Sequence, residues 1–251
     1  MIKPPVSINN SFYDTLGPLW QTGENHPVAF LRAENKVRNP WILSVLQKRL
    51  QNEMRFLDIG CGGGLLTNYL AENGVSYVEG IDLSQASLDQ AKQVDATGRV
   101  IYRQANALCL PHKNATFDAV AAMDILEHVE RPLELIQEAA RVLKPGGLFF
   151  FHTFNRTFAS WLTAIKGLEW CGSNAPKHIH IYRLFLHPDE VEHFLTLNNL
   201  QLLEMRGLKP VWRQKALWQL LLQRKVSSNF RFTFSPSLST GYCGFAVFSP
   251  P

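Results

Sequence analysis

Four of the five residues from Gly60 to Gly64 are glycine, and they come directly after the short apolar run RFLDI. Glycine lets a chain turn tightly and lets its backbone approach a ligand without an intervening Cβ. Beyond the turn, LLTNYLAENG has helical spacing, and the apolar run SYVEGIDL then contains Asp82 near its end. A strand, a glycine turn, a helix and a second strand ending in an acid predict a nucleotide-like ligand, with Asp82 accepting hydrogen bonds from ribose hydroxyls.

The alternation of strands and helices continues downstream and predicts an α/β fold. Ser84 has the side chain of a helix N-cap, and Gly98 suits the end of the same helix. Repeated strand–helix units predict a parallel sheet with helices on both faces, and ligands bind such sheets at the carboxyl ends of the strands. Further predicted elements are the strands RVIYRQANA, FDAVAAMDIL and LFFFHTF and the helix RPLELIQEAARVLKPGG.

A length of 251 residues with a hydrophobic share of 46% predicts one elaborated domain over residues 1–251. The helical pattern of residues 10–51 predicts an N-terminal cap. Residues 155–183 break the rhythm after the fifth strand, so we expect them to form an insertion. The segments predicted beyond it are the helices HPDEVEHFLTLNN and VWRQKALWQLLLQRK and the strands LQLLEMRGL and YCGFAVF.

Composition excludes several classes of protein. The net charge of +4 is a mild bias, and no basic tract with interleaved aromatic residues predicts nucleic-acid binding. The four cysteines form no CxxC pair, which favours reduced thiols in a cytosolic protein. The first ten residues lack the pattern of a signal peptide, and no apolar run reaches the roughly 18–20 residues of a membrane span. We therefore expect a cytoplasmic protein, with peripheral contact to a membrane left open.

Three motifs in order resemble class I S-adenosylmethionine-dependent methyltransferases. The loop after Asp58 reads Gly-Cys-Gly-Gly-Gly, unlike the G-x-G-x-x-G of dinucleotide-binding proteins, and is similar to the first motif of that family. FDAVAAMDILEHV resembles its fourth-strand motif, and RVLKPGGLFFF resembles the helix and turn that follow. The resemblance implies a Rossmann-like sheet of seven mostly parallel strands and S-adenosyl-L-methionine as cofactor.

The resemblance also implies contacts with that cofactor. Asn106 stands where many members carry an acid; its side-chain carbonyl could accept a hydrogen bond from the adenine amino group, and a turn asparagine is the alternative. Asp82 would bind the ribose and Leu83 would pack on the adenine. Gly60 would lie against the methionine part, and Gly62 of the same loop is a further cofactor-binding residue. The backbone of Met123 would meet the adenine or methionine portion, with a buried strand methionine as the alternative.

The chain further resembles the 3-demethylubiquinol 3-O-methyltransferase family of ubiquinone biosynthesis. The motifs are FFFHTFNRTFASWLTAIKGLEW and PKHIHIYRLFLHPDEVEHFL, and HPVAFLRAENKVRNPWIL also fits. Within the last motif, Arg38 occupies the position of a family arginine that contacts the cofactor. This resemblance implies O-methylation of a phenolic or catechol hydroxyl on a polyprenylated ubiquinone precursor. It weakens beyond Lys209.

Asp124, Glu127 and His128 have i, i+3, i+4 spacing where the fourth strand ends. On a helical turn all three would point one way. Two carboxylates and an imidazole suit Mg²⁺, Mn²⁺ or Zn²⁺, and the family resemblance implies a divalent ion here, although many members have Glu in place of Asp124. Glu127 and His128 are the predicted catalytic residues, with His128 as an alternative general base. The alternative for this cluster is a structural role in helix capping and packing.

Further histidines, His152, His178 and His180, are candidates to line the acceptor pocket. Phe158, Trp161 and Leu162 begin a helix-like apolar pattern in the insertion, which predicts either a lid or a helix lying in a bilayer interface. For the helix at residues 211–225, packing in the core is the favoured interpretation and a membrane role the alternative.

The expected partners are a polyprenyl phenol or quinol substrate, a membrane surface and other ubiquinone-biosynthesis proteins. The alternatives in function are a methyltransferase for another small phenol or acid, and a non-catalytic subunit that binds cofactor or lipid.

Overall fold

The computed structural model describes residues 8–24, 26–50, 53–167 and 179–250. Its helices follow the predicted order, and the first is preceded by two short 3₁₀ turns, Asn10–Thr15 and Gly17–Trp20. Ser84 caps α3 as predicted, because its hydroxyl accepts a hydrogen bond from the backbone N–H of Ser87. The helices are α1 Val28–Arg49, α2 Thr67–Glu72, α3 Gln85–Gln93, α4 Pro132–Val142, α5 Pro188–Leu197 and α6 Lys215–Gln223.

One sheet forms the centre of the molecule, with strand order β3-β2-β1-β4-β5-β8-β6-β7. The first five strands along the chain pair in parallel with one another, whereas β8 runs antiparallel to β5 and β6. The strands are β1 Arg55–Ile59, β2 Tyr77–Asp82, β3 Ile101–Gln104, β4 Phe117–Met123, β5 Leu143–Phe154, β6 Leu200–Pro210, β7 Phe232–Ser235 and β8 Gly241–Phe248.

The predicted Rossmann-like, mostly parallel sheet is confirmed in its general form, but the predicted number of seven strands is wrong. The sheet has eight, because β7 pairs antiparallel with β6 at the edge. β7 is only four residues long, and no strand is predicted between the helix VWRQKALWQLLLQRK and the strand YCGFAVF. Its pairing partners on β6 are Gly207 to Pro210.

The core lies on both faces of the sheet, as the alternation of side chains along a strand requires. On β5, Phe149 and Phe151 pack with α4 on one face, whereas Phe150 packs with α1 and α2 on the other. These three phenylalanines are fully buried. The parallel strands are thereby covered on both sides, and the carboxyl ends of β1, β2 and β4 are held at one edge.

The insertion is described on both sides of residues 168–178. One helical turn, Phe158–Ser160, leads into a π-helix at Trp161–Gly167, and Tyr182–Leu184 forms a 3₁₀ turn. His178 lies outside the described residues. Of the helices in the described part of the chain, each lacks the combined length and apolar character that crossing a membrane requires.

Candidate active site

A cavity of about 990 Å³ opens at the carboxyl ends of the parallel strands. Gly60 and Gly62 line it after β1, Asp82 and Leu83 at the end of β2, and Met123 at the end of β4. The strand ends of a parallel sheet are where the sequence predicts a ligand. Other predicted site residues that line the cavity are Asn106, Asp124, Glu127, His128 and His180.

The glycine turn is held by hydrogen bonds to β2. The backbone N–H groups of Gly60 and Cys61 donate to the carbonyl of Ile81, at 2.8 and 2.9 Å. Gly60 and Gly62 have φ values of +74° and +51°, a region that side chains with a Cβ disfavour. The turn therefore needs glycine at these two positions to follow its path around the end of the sheet.

Asp82 holds the same turn from the opposite side. Its Oδ2 accepts from the backbone N–H of Gly62 and its Oδ1 from that of Ser84, each at 2.9 Å. Burial raises the pKa of Asp82, and these N–H groups oppose that effect. The carboxylate is thus fixed at the cavity wall, where its remaining lone pairs can accept hydrogen bonds from the hydroxyls of a ribose.

Next to it, Leu83 leaves 62% of its surface exposed although it is a large apolar residue. An exposed leucine on a cavity wall suits a flat apolar ligand such as a purine ring. Asn106 lines the cavity as well, but its side-chain carbonyl accepts from the backbone N–H of Leu108 at 2.9 Å. This is the hydrogen bond of a turn asparagine, so an adenine contact would use a second lone pair or the amide nitrogen.

Trp20 covers the glycine turn from the N-terminal segment. A Cβ on Gly63 would lie 2.2 Å from the Trp20 ring, and one on Gly62 would lie 2.5 Å from it. The indole N–H donates to the hydroxyl of Ser87, which in turn donates to the backbone carbonyl of Tyr13. The N-terminal segment is therefore tied to α3 and forms a wall of the cavity.

Glu34 and Asn35 of α1 line the cavity, but Arg38 of the same helix does not. Its fully buried guanidinium donates to both carboxylate oxygens of Asp124, with Nη1–Oδ1 2.8 Å and Nη2–Oδ2 2.6 Å. Asp124 also contacts Nδ1 of His152, which lies beneath it and does not line the cavity either. Contact of Arg38 with a cofactor stays a prediction. In this structure Arg38 acts on the cavity only by holding the Asp124 carboxylate.

The backbone of Asp124 is left-handed, with φ +59°. Such a conformation is uncommon for residues with a Cβ and is maintained by surrounding structure. Burial favours the neutral acid, but the charge of Arg38, followed by that of His152, outweighs it and lowers the pKa of Asp124. Asp124 is thus an ionised carboxylate whose two oxygens are already bonded.

Glu127 and His128 lie on a 3₁₀ turn, Leu126–His128, and both are buried. Thr153 donates to Oε2 of Glu127 at 2.8 Å, while Oε1 has no hydrogen-bond partner among the described residues. Burial, with a contribution from the charge of Asp124, raises the pKa of Glu127 to about 8. A carboxyl of this kind can exchange a proton near neutral pH.

His128 and His180 face each other across the cavity wall, with ring centroids 5.2 Å apart. Nε2 of His128 lies 3.2 Å from the hydroxyl of Tyr13, and its Nδ1 is buried with no partner in the described part of the chain. Burial and the nearby His180 lower the pKa of His128 to about 3, so the ring is neutral. Burial likewise lowers the pKa of His180.

The three predicted metal ligands do not come together. Glu127 and His128 group with His180, their ligand atoms lying within 4.8 Å of one another, whereas Asp124 groups with Glu34 and His152. Their spacing predicts one helical turn that carries all three, but the observed turn begins at Leu126, after the left-handed Asp124. Asp124 therefore points to α1 instead of toward its predicted partners.

Sequence reasoning did not identify Tyr13 or Glu34 as parts of this site. Tyr13 reaches His128 from 115 positions away in the chain, and Glu34 lies 3.6 Å from Arg38 inside α1. Tyr13 lies outside the motifs, and Glu34 lies within HPVAFLRAENKVRNPWIL without a predicted role; each acts by where the fold brings it. The sequence signal for Glu34 is its spacing four residues before Arg38, which places the two opposite charges on one side of α1.

Comparison with known proteins is consistent with this geometry. Residues 57–151 match the model of a methyltransferase domain family. A ubiquinone biosynthesis O-methyltransferase from Xylella fastidiosa is 38% identical over 183 residues, which cover 71% of this chain and 74% of that protein. The chain belongs to the ubiquinone biosynthesis O-methyltransferase family. It is an S-adenosylmethionine-dependent methyltransferase.

Another member of the ubiquinone biosynthesis O-methyltransferase family, from Histophilus somni, is 35% identical over 205 residues, 78% of this chain and 84% of that protein. Among solved structures, magnesium protoporphyrin IX methyltransferase from Synechocystis PCC 6803 with bound SAH has a TM-score of 0.64 at 17% identity. The similarity covers 96% of both chains. At that identity it shows the shared fold alone.

Proposed function

We propose that this enzyme transfers a methyl group to a phenolic or catechol hydroxyl of a polyprenylated ubiquinone precursor. One observation carries the proposal: the group formed by the buried Glu127 and His128 with the half-buried His180 lines the same cavity as the glycine turn and Asp82. One end of the cavity thus suits a nucleoside and the other suits a hydroxyl that must lose its proton. The names of the relatives described above agree with this chemistry.

At the donor end, the chain's task is to bind and orient. Asp82 accepts hydrogen bonds from ribose hydroxyls, Leu83 packs against the adenine, and the turn at Gly60 lets backbone approach the methionine part. S-adenosyl-L-methionine supplies a methyl group on a cationic sulfonium that reacts by in-line displacement. Holding the sulfonium and the acceptor oxygen in line can supply much of the rate enhancement.

At the acceptor end, the hydroxyl has to become nearly a phenolate, since a phenol such as tyrosine has a pKa of roughly 10. Glu127, with its pKa raised to about 8, can accept a proton once it is ionised, whereas the neutral His128, with its pKa lowered to about 3, can accept a hydrogen bond from the hydroxyl. Tyr13 fixes the His128 ring from the side opposite to its free nitrogen. The wall formed by Trp20 and Tyr13 limits access of water to the reacting atoms.

A divalent cation fits the acceptor end when its ligands are Glu127, His128 and His180. Oε1 of Glu127 and Nδ1 of His128 are buried atoms without partners among the described residues. Nδ1 of His180 lies 2.9 Å from the carbonyl of Ala164, which can only accept, so its Nε2 keeps a lone pair. One carboxylate and two imidazoles suit Zn²⁺ or Mn²⁺ better than Mg²⁺, and a bound cation would lower the hydroxyl pKa.

The insertion beside the cavity supports a lipid substrate. Thr163 and Ala164 of the π-helix line the cavity, and the same segment exposes Phe158 and Leu162 to solvent. An apolar segment beside the cavity mouth suits a polyprenyl tail and a peripheral membrane contact. Other ubiquinone-biosynthesis proteins are natural partners, since they would supply and consume such a lipid.

The test uses purified protein, labelled S-adenosyl-L-methionine and a short-tailed demethylubiquinol, with and without a chelator. We expect label to pass to the phenol and transfer to fall when the cation is removed. Transfer that is unaffected by chelation would disprove the role of the cation and would leave the assignment as a methyltransferase unchanged. Transfer to another small phenol in preference favours the second substrate class, and donor binding without transfer to any phenol favours an accessory subunit.

A further inference from the structure

The helix α1 carries a single acidic residue, and that residue lines the cavity. Val28–Arg49 contains five basic side chains, and Glu34 is its one carboxylate. Leu31, Glu34 and Asn35 line the cavity together, because residues three and four apart lie on one side of a helix. Only 8% of the surface of Glu34 is exposed. A buried charge is costly unless a partner compensates it, so the position of Glu34 on the cavity side needs an explanation.

The surrounding protein does not supply a full partner for this carboxylate. Oε2 of Glu34 is buried and makes no hydrogen bond to the described residues. Nη1 of Arg38 lies 3.6 Å from it, but both terminal nitrogens of that guanidinium donate to Asp124, at 2.8 and 2.6 Å. Glu34 therefore keeps an acceptor on the cavity side that no described donor fills.

The charges around Glu34 favour one further cation. Arg38 brings one positive charge, whereas Glu34 and Asp124 bring two negative charges when both are ionised. His152, which contacts Asp124, is neutral because burial lowers its pKa. Burial raises the pKa of Glu34 to about 8 against the charge of Arg38, so its own charge is incompletely compensated. A cationic group on a ligand would supply the missing charge.

Glu34 also lies where one part of the donor is expected. On one side, α1 is tied to the end of the glycine turn, because the side chain of Asn39 donates to the carbonyl of Leu65 at 2.8 Å. On the other side, Arg38 ties the same helix to Asp124 at the end of β4. Glu34 is next to Arg38 and therefore lies between the turn and the strand end. The methionine part of S-adenosyl-L-methionine is expected against this same turn.

We propose that Glu34 binds the α-ammonium group of the donor's methionine part. An ammonium has three N–H donors and a full positive charge, and both match a buried carboxylate oxygen that lacks a partner. A divalent cation fits less well, because the Arg38 guanidinium beside Glu34 repels two charges more strongly than one. This role concerns the donor and goes beyond the proposed function, which concerns the acceptor.

The test compares ligands that differ only in this amino group. S-adenosyl-L-homocysteine has the ammonium without the sulfonium, and its deaminated analogue has a CH₂ group in place of the carbon that bears the amine. Isothermal titration calorimetry without an acceptor gives both dissociation constants for the wild type, Glu34→Gln and Glu72→Gln. Glutamine keeps the size of the side chain and removes its charge. Glu72 is the matched control, an exposed acid on α2 that does not line the cavity.

We expect Glu34→Gln to weaken the binding of S-adenosyl-L-homocysteine roughly tenfold or more, as the loss of a hydrogen bond between charged groups predicts. The same change should leave the deaminated analogue within about twofold, because that ligand has no ammonium to lose. Retained binding of the analogue also shows that the variant is folded. S-adenosyl-L-methionine should be weakened by the same factor as S-adenosyl-L-homocysteine, since both have the ammonium, and Glu72→Gln should match the wild type throughout.

Equal weakening of both ligands by Glu34→Gln would overturn the proposal, because Glu34 would then only shape the cavity. An unchanged dissociation constant for S-adenosyl-L-homocysteine would overturn it too, and tighter binding would place the ligand's carboxylate beside Glu34. A loss confined to S-adenosyl-L-methionine would assign Glu34 to the sulfonium and would contradict the ammonium contact. Since no acceptor is present, each of these results is independent of the proposed transfer to a phenol.

Discussion

Arg38 and Asp124 form a buried, two-pronged ion pair that joins α1 to the end of β4, with N–O distances of 2.8 and 2.6 Å. Bidentate pairs of this kind fix orientation as well as distance. The pair holds Asp124 in its left-handed conformation, and the next residues turn toward the cavity. The pair lies two residues before the turn that carries Glu127 and His128.

Removing one member of the Arg38–Asp124 pair should lower the free energy of unfolding far more than replacing both members. Arg38→Met leaves the Asp124 carboxylate buried without its partner, and we expect a loss of about 3–5 kcal/mol in the free energy of unfolding. Arg38→Met/Asp124→Asn removes the unpaired charge, and asparagine tolerates the left-handed backbone. Urea unfolding of the wild type, Arg38→Met, Asp124→Asn and the double variant measures the effect. Losses in the double variant that equal the sum of the two single ones would show no coupling.

Asp82→Ala should raise the dissociation constant for S-adenosyl-L-methionine by roughly tenfold or more, since it removes ribose hydrogen bonds and releases the N–H groups of Gly62 and Ser84. Isothermal titration calorimetry provides the measurement. Asp89→Ala is the matched control, because Asp89 is an exposed acid on α3 with no place in the cavity. An unchanged constant for Asp82→Ala removes this residue from the cofactor site.

Much of this fold could be predicted because its signals are local. The glycine turn, the N-cap at Ser84 and the apolar parallel strands each follow from a few neighbouring residues. Strand β7 was missed because a four-residue edge strand depends on its pairing with β6, which no local pattern encodes.

The site was predicted less completely, and Asp124 shows why. Helical spacing predicted that its side chain would join Glu127 and His128, but a left-handed backbone and a distant arginine direct it to α1. His180 takes its place through a contact across 52 positions of sequence. Such long-range geometry is not contained in residue spacing.

If the cation ligands are Glu127, His128 and His180, removing His180 should weaken binding more than changing Asp124. We expect His180→Gln to raise the dissociation constant for Co²⁺, used as a coloured probe for Zn²⁺, by tenfold or more, about the effect of losing a ligand or its support. Asp124→Asn should remain within about threefold, because the Asp124 side chain is not a ligand, and asparagine keeps an acceptor for Arg38 and tolerates the left-handed backbone. Visible absorption during Co²⁺ titration gives both values, and His193→Gln controls for an exposed histidine.

The opposite ranking would restore the predicted set that includes Asp124. Cobalt absorption that is equal in all variants would show that the cation binds elsewhere on the protein.

Stability of the metal-free protein should fall as pH rises because of Glu127. Burial raises its pKa from 4.5 to about 8, so the folded state holds a proton that the unfolded state has released between these values. The stabilisation is complete below about pH 4.5 and is lost as pH rises through about 8. Glu127→Gln should flatten this dependence by about 2 kcal/mol or more.

Urea unfolding in chelator at about pH 5 and about pH 8 measures the slope. Glu34→Gln is an informative comparison, because burial also raises the pKa of Glu34 to about 8 and its removal should flatten the same pH window. A Glu127→Gln protein with the wild-type slope would show that Glu127 is ionised in the folded state.

Gly63→Ala tests whether Trp20 is a wall of the cofactor site. The new methyl group would lie 2.2 Å from the Trp20 ring, and the backbone of Gly63 needs no left-handed conformation, so the effect is steric. Overpacking of this kind should cost about 1–3 kcal/mol in the free energy of unfolding, and displacement of Trp20 should weaken donor binding. Trp20→Ala removes the clash, so Gly63→Ala should do little further harm in that background. If the two changes prove additive in urea unfolding and calorimetry, Trp20 does not rest on the glycine turn in solution.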